Sequence, residues 1–187
     1  MIVPGKLDRD YRSIMPMAAT FSAIELLPNG QRVEIRALRP TDREDMLSAV
    51  GQASTRSLYR RFFTVRRHFS EAETEFFLNI DFVSHVALVA IAQDGGKPFI
   101  AGGGRYIVTK PGQAEVAFAV VDQFQGLGIG SALLRHLSSL ARNAGLQEFV
   151  AEVLPENTAM LKVFERSGLE ITTKRDSLTI YVVLRLT

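Results

Sequence analysis

The sequence contains no cysteine, and this absence removes several kinds of chemistry at once. Disulfide bonds, a thiolate nucleophile and a zinc site with cysteine ligands are all excluded. Only three histidines occur, His68, His85 and His136, and they lie far apart without the spacing of paired metal ligands. The sequence therefore predicts a protein without a metal site.

Long apolar runs and a strong excess of one charge are missing as well. No run approaches the roughly 20 apolar residues that span a bilayer, and charged residues at positions 8–12 interrupt the place of a signal peptide. The formal net charge is only +2, with basic residues interleaved among acidic ones. A nucleic-acid-binding surface is therefore not indicated. We expect a soluble, cytoplasmic protein that binds neither nucleic acid nor a membrane.

The length of 187 residues suits one well-cored domain. Residues 1–28 show no clear hydrophobic period and contain several turn-forming residues, so we interpret them as an N-terminal extension that is either partly disordered or laid over the surface. Residues 29–187 then form the single domain. Asn29-Gly30 is a turn dipeptide, and a short strand over residues 24–27 would form a hairpin with a strand over residues 32–38.

The remaining periodicities predict an α+β fold. Helical patterns precede three strand patterns at 83–93, 98–109 and 113–121, which turn signals join into an antiparallel meander. A helix after Gly130 should cross over to a strand at 148–154, lying parallel to 113–121. A further helix and two strands complete the chain. We expect one mixed, mostly antiparallel sheet with helices on both faces.

A glycine loop lies at the centre of this pattern. Gly126, Gly128 and Gly130 alternate between a buried-strand run and a long amphipathic helix that Gly145 ends. Such glycines leave backbone amides unobstructed at the positive end of a helix, a site suited to a phosphate or pyrophosphate. A flexible turn without a ligand is the alternative. Spacing argues against a P-loop, which needs a lysine here, and against the dinucleotide fingerprint, which needs glycine at Ser131.

The remaining pattern, Gln-x-x-Gly-x-Gly from Gln125 to Gly130, resembles the signature loop of the GNAT superfamily of acetyl-CoA-dependent N-acetyltransferases. The order of elements from residue 31 to 186 is similar to that family too. The resemblance implies acetyl-CoA as co-substrate and a splayed central pair of parallel strands, 115–121 and 148–154. It also implies a set of cofactor-binding residues: Phe118, Ala119, Val120, Gln125, Gly126, Leu127, Gly128, Ile129, Gly130, Ser131 and Asn157.

In that family, backbone groups of the first strand hold the pantetheine arm, and the loop amides hold the pyrophosphate. We therefore expect side-chain substitutions at 125–131 to be tolerated unless they add bulk at Gly128 or Gly130. Asn157 should both cap its helix and contact the cofactor. Leu127 replaces a common basic residue of the loop, so other basic residues, such as Arg135 or Lys162, would have to support phosphate binding.

The resemblance also bears on the chemistry. Phe164 stands where many family members have tyrosine, whose hydroxyl protonates the leaving thiolate, so the general acid is unassigned. Glu115 lies ten residues before Gln125, similar to the catalytic glutamate of protein-lysine-acetylating GNATs. A lysine amine, with a pKa of about 10.4, must lose a proton before it attacks a thioester. A carboxylate on a partly buried strand can accept that proton directly or through water. The alternative is a structural salt bridge between Glu115 and Arg105.

Residues 35–42 and 54–63 further resemble the start of the acetyltransferase domain in bacterial Pat-type protein lysine acetyltransferases. This resemblance implies a primary amine acceptor, and specifically a protein lysine. We expect direct attack in a ternary complex, because no cysteine can carry the acetyl group. A small-molecule amine acetyltransferase and a non-catalytic acyl-CoA-binding regulatory module are the alternatives. A monomer and a homodimer are both compatible with the sequence. The arginine-rich stretch at 56–67 is either a solvated face or a docking surface.

Overall fold

A computed structural model describes residues 15–52, 54–62 and 70–186 of the chain. Its eight strands form one sheet in the order β1-β2-β3-β4-β5-β6-β8-β7. The strands are β1 (Ser22–Leu26), β2 (Arg32–Ala37), β3 (His85–Asp94), β4 (Lys97–Lys110), β5 (Gln113–Val120), β6 (Glu148–Val153), β7 (Glu170–Arg175) and β8 (Ile180–Arg185). The helices are α1 (Met15–Ala19), α2 (Arg43–Gln52), α3 (Thr55–Phe62), α4 (Glu71–Leu78), α5 (Ile129–Asn143) and α6 (Thr158–Glu165).

The predicted strand pairings are confirmed. β3, β4 and β5 are consecutive antiparallel neighbours, and the crossover through α5 places β6 parallel to β5. The mixed, mostly antiparallel α+β architecture expected from the sequence is therefore correct. The hairpin around Asn29-Gly30 also forms, because β1 pairs with β2.

The edge strand β1 shows that the sheet begins before residue 29, inside the stretch interpreted as an extension. β1 is attached to the rest of the domain by backbone pairing with β2 and also by ion pairs with α5. The Glu25 carboxylate lies 2.6 Å from a guanidinium nitrogen of Arg135 and 2.6 Å from Nε2 of His136, both on α5. Burial alone would raise the pKa of Glu25, but these two hydrogen bonds outweigh it and hold the pKa below its usual range. Residues 1–14 lie outside the described residues.

Helices cover both faces of the sheet, as predicted. Alternate residues of β3 point to opposite sides, since side chains along a strand have a period of two. Val86, Leu88 and Ala90 join the main core with α5, whereas Ala87 and Val89 join a smaller core that includes residues of α2 and α4. β5 follows the same alternation, and its residues Ala114, Val116 and Phe118 belong to the main core.

The glycines of β4 allow α5 to approach the sheet closely. A Cβ atom built on Gly104 would lie 2.7 Å from Cδ1 of Phe118 and 3.0 Å from Cδ1 of Leu137. Both neighbours are buried core side chains, so neither can move aside cheaply. Gly104 therefore has a packing reason that is independent of any ligand.

We expect Gly104→Ala to lower the free energy of unfolding by roughly 1–3 kcal/mol, as overpacking of a filled core does. Chemical denaturation measures this difference. Gly51→Ala is the matched control, because Gly51 lies in α2 with no atom within 4 Å of an added Cβ, and alanine favours a helix. Equal stability of the two variants would contradict the packing account.

β5 and β6 pair only at one end. Their ladder runs over Gln113–Glu115 and Glu148–Val150, and beyond Glu115 the strands are no longer hydrogen-bonded to each other. β5 nevertheless continues to Val120, paired on its other side with β4. The splayed central parallel pair predicted from the resemblance is therefore present, and it leaves a gap with backbone groups free on the inner edge of β5.

Candidate functional site

The glycine loop forms the N-terminus of α5. A short 3-10 turn at Asp122–Phe124 follows β5, and Gly128 then caps the helix with φ of 97°, in the left-handed region. The N–H groups of Ile129, Gly130 and Ser131 have no partner within the helix, as at any helix start. Ser131, expected in the loop, lies in the first turn of α5. The amides and the helix dipole together suit an anionic group.

A cleft of about 500 Å³ extends from this loop along β5 and under α2. Its volume lies within the range of small-molecule and cofactor sites. One end is formed by the glycine loop and α6, including Lys162 and Arg166. The other end is formed by Met46 and Val50 of α2 together with Arg105 of β4.

All but one of the residues expected to bind the cofactor line this cleft: Phe118, Ala119, Val120, Gln125, Gly126, Gly128, Ile129, Gly130, Ser131 and Asn157. The exception is Leu127, which is partly buried against the main core instead. The side chain of Gln125 is hydrogen-bonded to Val120, Asp122 and Ser57. We therefore expect this residue to be an exception to the tolerance of substitution predicted for the loop.

Of the two basic residues named as possible phosphate ligands, Lys162 lines the cleft and Arg135 does not. Arg135 is paired with Glu25 instead. Arg166 lines the cleft as well and was missed by the sequence reasoning. The spacing of four between Lys162 and Arg166 could have identified it, because such residues share one side of a helical turn.

A second cavity, of about 310 Å³, occupies the gap between β5 and β6. Val116, Phe118, Met160 and Phe164 line it from the main core, and Val153 lines it from β6. Its polar lining includes Glu115, Glu152 and Tyr181. The two cavities share Ala117, Phe118, Asn157 and Met160, so they meet at the inner edge of β5. A group passing along β5 can therefore reach the gap.

Glu115 stands where the gap opens. Its side chain is exposed, although the strand that carries it is partly buried as expected. The reason is the alternation along β5, in which Ala114 and Val116 face the core and Glu115 faces the opposite side. Within the part of the chain that the structure describes, Glu115 has no side-chain hydrogen bond or ion pair. The salt bridge with Arg105 considered from the sequence is therefore not formed.

Arg105 is instead held by α4 and β3. Its guanidinium lies 4.7 Å from the centre of the Phe77 ring and donates to the Phe77 carbonyl oxygen. One of its nitrogens also lies 3.1 Å from Nε2 of His85. The pKa of His85 is lowered to about 4, mainly by burial and further by the charge of Arg105. The ring is therefore neutral near pH 7, and its Nε2 can accept a hydrogen bond from Arg105.

Two further predicted residues have defined surroundings. The Asn157 side chain accepts a hydrogen bond from the backbone N–H of Met160, which confirms its role as N-cap of α6. Phe164 is buried, and its ring packs edge-on against Phe118 with 6.3 Å between centroids. Position 164 thus contributes packing below the gap, and no hydroxyl is available there.

Neither a metal site nor a membrane-spanning helix is found in the described ranges. In them, no group of three or more histidine or acidic side chains is arranged to hold a metal ion. No helix in those ranges is long and apolar enough to cross a membrane.

The chain is similar to known proteins. Residues 53–169 match the model of the acetyltransferase (GNAT) family. The acetyltransferase Pat of Mycolicibacterium smegmatis is 34% identical over 172 residues, covering 89% of this chain and 50% of that protein. The chain thus spans about half the length of this relative.

Solved structures of GNAT acetyltransferases are similar to this chain as well. The GNAT domain of S. lividans PAT matches with a TM-score of 0.78 and 32% identity, covering 96% of this chain and 99% of that domain. The more distant Salmonella typhimurium protein yncA, solved with its cofactor acetyl-CoA, shares the fold with a TM-score of 0.63 at 17% identity, over 82% of this chain and 92% of that one. The family match, the identity and the splayed sheet agree, and the chain belongs to the GNAT family of acetyltransferases.

Proposed function

We propose that the protein transfers an acetyl group from acetyl-CoA to the side-chain amine of a protein lysine. The observation that carries the proposal is the junction of two cavities at the inner edge of β5. One leads to the anion-binding glycine loop, and the other contains Glu115. A donor lying along β5 would bring its thioester to the junction, and an amine entering through the gap would meet it there.

The proposed transfer uses this placement of the thioester and the amine. The neutral amine nitrogen attacks the thioester carbonyl carbon, the carbon–sulfur bond breaks, and CoA leaves as a thiolate. Glu115 accepts the proton that the amine loses, directly or through one water, because a free carboxylate at the gap can act as general base. Backbone N–H groups on the unpaired edge of β5 stabilise the oxyanion. Phe164 offers no acid, so the thiolate leaves without protonation from that position.

A cationic acceptor fits the gap. Glu152 and Tyr181 line the same cavity as Glu115, and both are exposed to an approaching side chain. Carboxylates attract an ammonium group, and an aromatic ring packs against the methylenes of lysine or its charge. The similarity to PAT proteins supports a protein acceptor. A small-molecule amine would use the same chemistry, so the acceptor must be tested directly.

The decisive assay measures CoA release from acetyl-CoA with two panels of acceptors, lysine-containing proteins and small amines such as polyamines and amino acids. We expect turnover with the proteins, and mass spectrometry should place the acetyl group on lysine side chains. Turnover restricted to small amines would overturn the lysine assignment. Acetyl-CoA binding without turnover on either panel would overturn catalysis and favour a regulatory binding module.

Cofactor affinity offers a separate prediction. Lys162 and Arg166 line the cleft beside the glycine loop, where the pyrophosphate and nucleotide of CoA would lie. We expect Lys162→Ala and Arg166→Ala to raise the dissociation constant of CoA about five- to tenfold each, because each loses a charge-assisted hydrogen bond. Calorimetric titration with CoA measures this. Arg175→Ala, on β7 and away from both cavities, should leave the affinity unchanged.

A further inference from the structure

The first turn of α3 is hydrogen-bonded to the turn that precedes the glycine loop. Oδ2 of Asp122 lies 2.7 Å from the backbone nitrogen of Ser54 and accepts its hydrogen. Oδ1 of Asp122 accepts from the hydroxyls of Ser57, at 2.5 Å, and of Ser54, at 3.2 Å. The partners lie 65 to 68 residues apart in the sequence. Asp122 therefore accepts hydrogen bonds at the start of α3, as the side chain of an N-cap residue does, although it lies in a distant part of the chain.

Gln125 completes this cluster. Its Nε2 lies 3.0 Å from each of three oxygens, Oδ1 of Asp122, Oγ of Ser57 and the carbonyl oxygen of Val120. A carboxylate and a carbonyl can only accept, so the amide nitrogen has to face them. Its two hydrogens are consequently used within the cluster. The side chain of Gln125 therefore ties the glycine loop to α3 and to the end of β5, and the residue also lines the cleft.

The cluster joins two walls of the large cleft. Ser57 contributes to the wall formed by α3, and Gln125 and Gly126 contribute to the glycine loop. Gly126 follows Gln125 directly and Gly128 lies two residues further on, so Asp122 is only a few residues away in sequence from the amides expected to bind pyrophosphate. Asp122 and Gln125 thus connect the glycine loop to the first turn of α3 through hydrogen bonds.

We propose that Asp122 is a positioning residue that couples acetyl-CoA binding to the placement of α3. Binding of the cofactor to the loop holds the Asp122 cluster in the observed arrangement and orders α3 along the cleft. Coupling of this kind is reciprocal, so breaking the cluster weakens cofactor binding by the same factor by which the cofactor stabilises α3. The inference rests on the proposed function for the identity of the ligand.

The test uses CoA as ligand and hydrogen exchange measured by mass spectrometry. With the wild type, we expect saturating CoA to slow exchange of the α3 backbone amides, although α3 lies outside the glycine loop. In Asp122→Asn, an amide NH₂ group replaces one of the two accepting oxygens. Because the groups around the side chain are hydrogen-bond donors, the NH₂ group cannot replace the lost acceptor. The slowing over α3 should be lost, and the dissociation constant of CoA should rise about tenfold, within the usual range of coupling energies.

Two further variants make the test selective. Asp176→Asn is the matched control, because Asp176 also accepts hydrogen bonds from a neighbouring serine, Ser177, but in the turn between β7 and β8. It should behave as the wild type does. Ser57→Ala removes one hydroxyl from the cluster and should raise the dissociation constant about fivefold, the value of one hydrogen bond. This variant carries the test if Asp122→Asn does not fold.

The possible results separate the two proposals. A wild type whose α3 amides exchange equally fast with and without CoA would overturn the coupling, even if the enzyme acetylates lysine normally. Full slowing of α3 in both Asp122→Asn and Ser57→Ala would overturn it as well. Slowing of α3 by CoA in a protein that acetylates no amine would support the coupling and overturn the transfer reaction alone. Failure of CoA to bind at all would overturn both.

Discussion

Replacing Glu115 by glutamine should lower kcat at pH 7.5 by about 100-fold or more, the usual contribution of a general base. Glutamine keeps the size of the side chain but cannot accept the proton of the attacking amine. The affinity for acetyl-CoA should not change, because Glu115 lines the smaller cavity rather than the large cleft. Steady-state kinetics with a lysine substrate and a CoA titration of the same preparation measure the two quantities.

The pH dependence of this variant provides a stricter test. Without a base, only amines that are already neutral react, and their fraction rises about tenfold per pH unit below the lysine pKa of about 10.4. The ratio of wild-type to variant rates should therefore fall steadily as the pH increases. Glu170→Gln, an exposed glutamate on β7, is the control and should follow the wild type. A constant ratio across the pH range would exclude Glu115 as the base.

Gly128→Val should weaken CoA binding about 100-fold. Gly128 has φ of 97°, and a Cβ there would already lie 3.4 Å from Cδ of Pro28. A β-branched residue avoids this conformation, so the loop must change and its amides no longer converge. Losing two hydrogen bonds to a charged phosphate weakens binding about 100-fold. Calorimetric titration measures the loss.

The control for this prediction lies at the other end of the same helix. Gly145 has a similar φ of 77°, and no atom lies within 4 Å of an added Cβ. Gly145→Val therefore carries comparable backbone strain without touching the cleft. Both variants should be destabilised, but only Gly128→Val should bind CoA more weakly. If both bind CoA equally well, the glycine loop is not the anion site.

The strand order and the glycine loop could be predicted because each rests on local signals. The apolar runs of β3 and β5 and the turns between neighbouring strands define antiparallel pairs by adjacency alone. The crossover rule then makes β6 parallel to β5. The sequence signal for β1 is weaker, because only one side of this strand is partly buried and its sequence lacks a clear apolar alternation. Its place in the sheet depends on pairing with β2 and on the contact of Glu25 with α5.

The parts of the site that the sequence left open or did not indicate depend on contacts between distant segments. Arg135 and Lys162 both follow the loop on helices, and only the fold shows that Arg135 is paired with Glu25 while Lys162 faces the cleft. Of the serines that donate to Asp122, Ser54 precedes α3 and Ser57 lies in it, and no motif there points to the glycine loop. Glu152 and Tyr181 lie on other strands, and they line the same cavity as Glu115 because the sheet is splayed there.

The central claim is that the cofactor lies along β5 and delivers its thioester to the gap beside Glu115. A crystal structure of the protein with a non-hydrolysable analogue of acetyl-CoA tests this most directly. The account predicts the pyrophosphate on the amides of residues 126–131 and the thioester position between β5 and β6, within reach of Glu115 directly or through one water. An analogue bound with its acyl group outside the gap, away from Glu115, would contradict it.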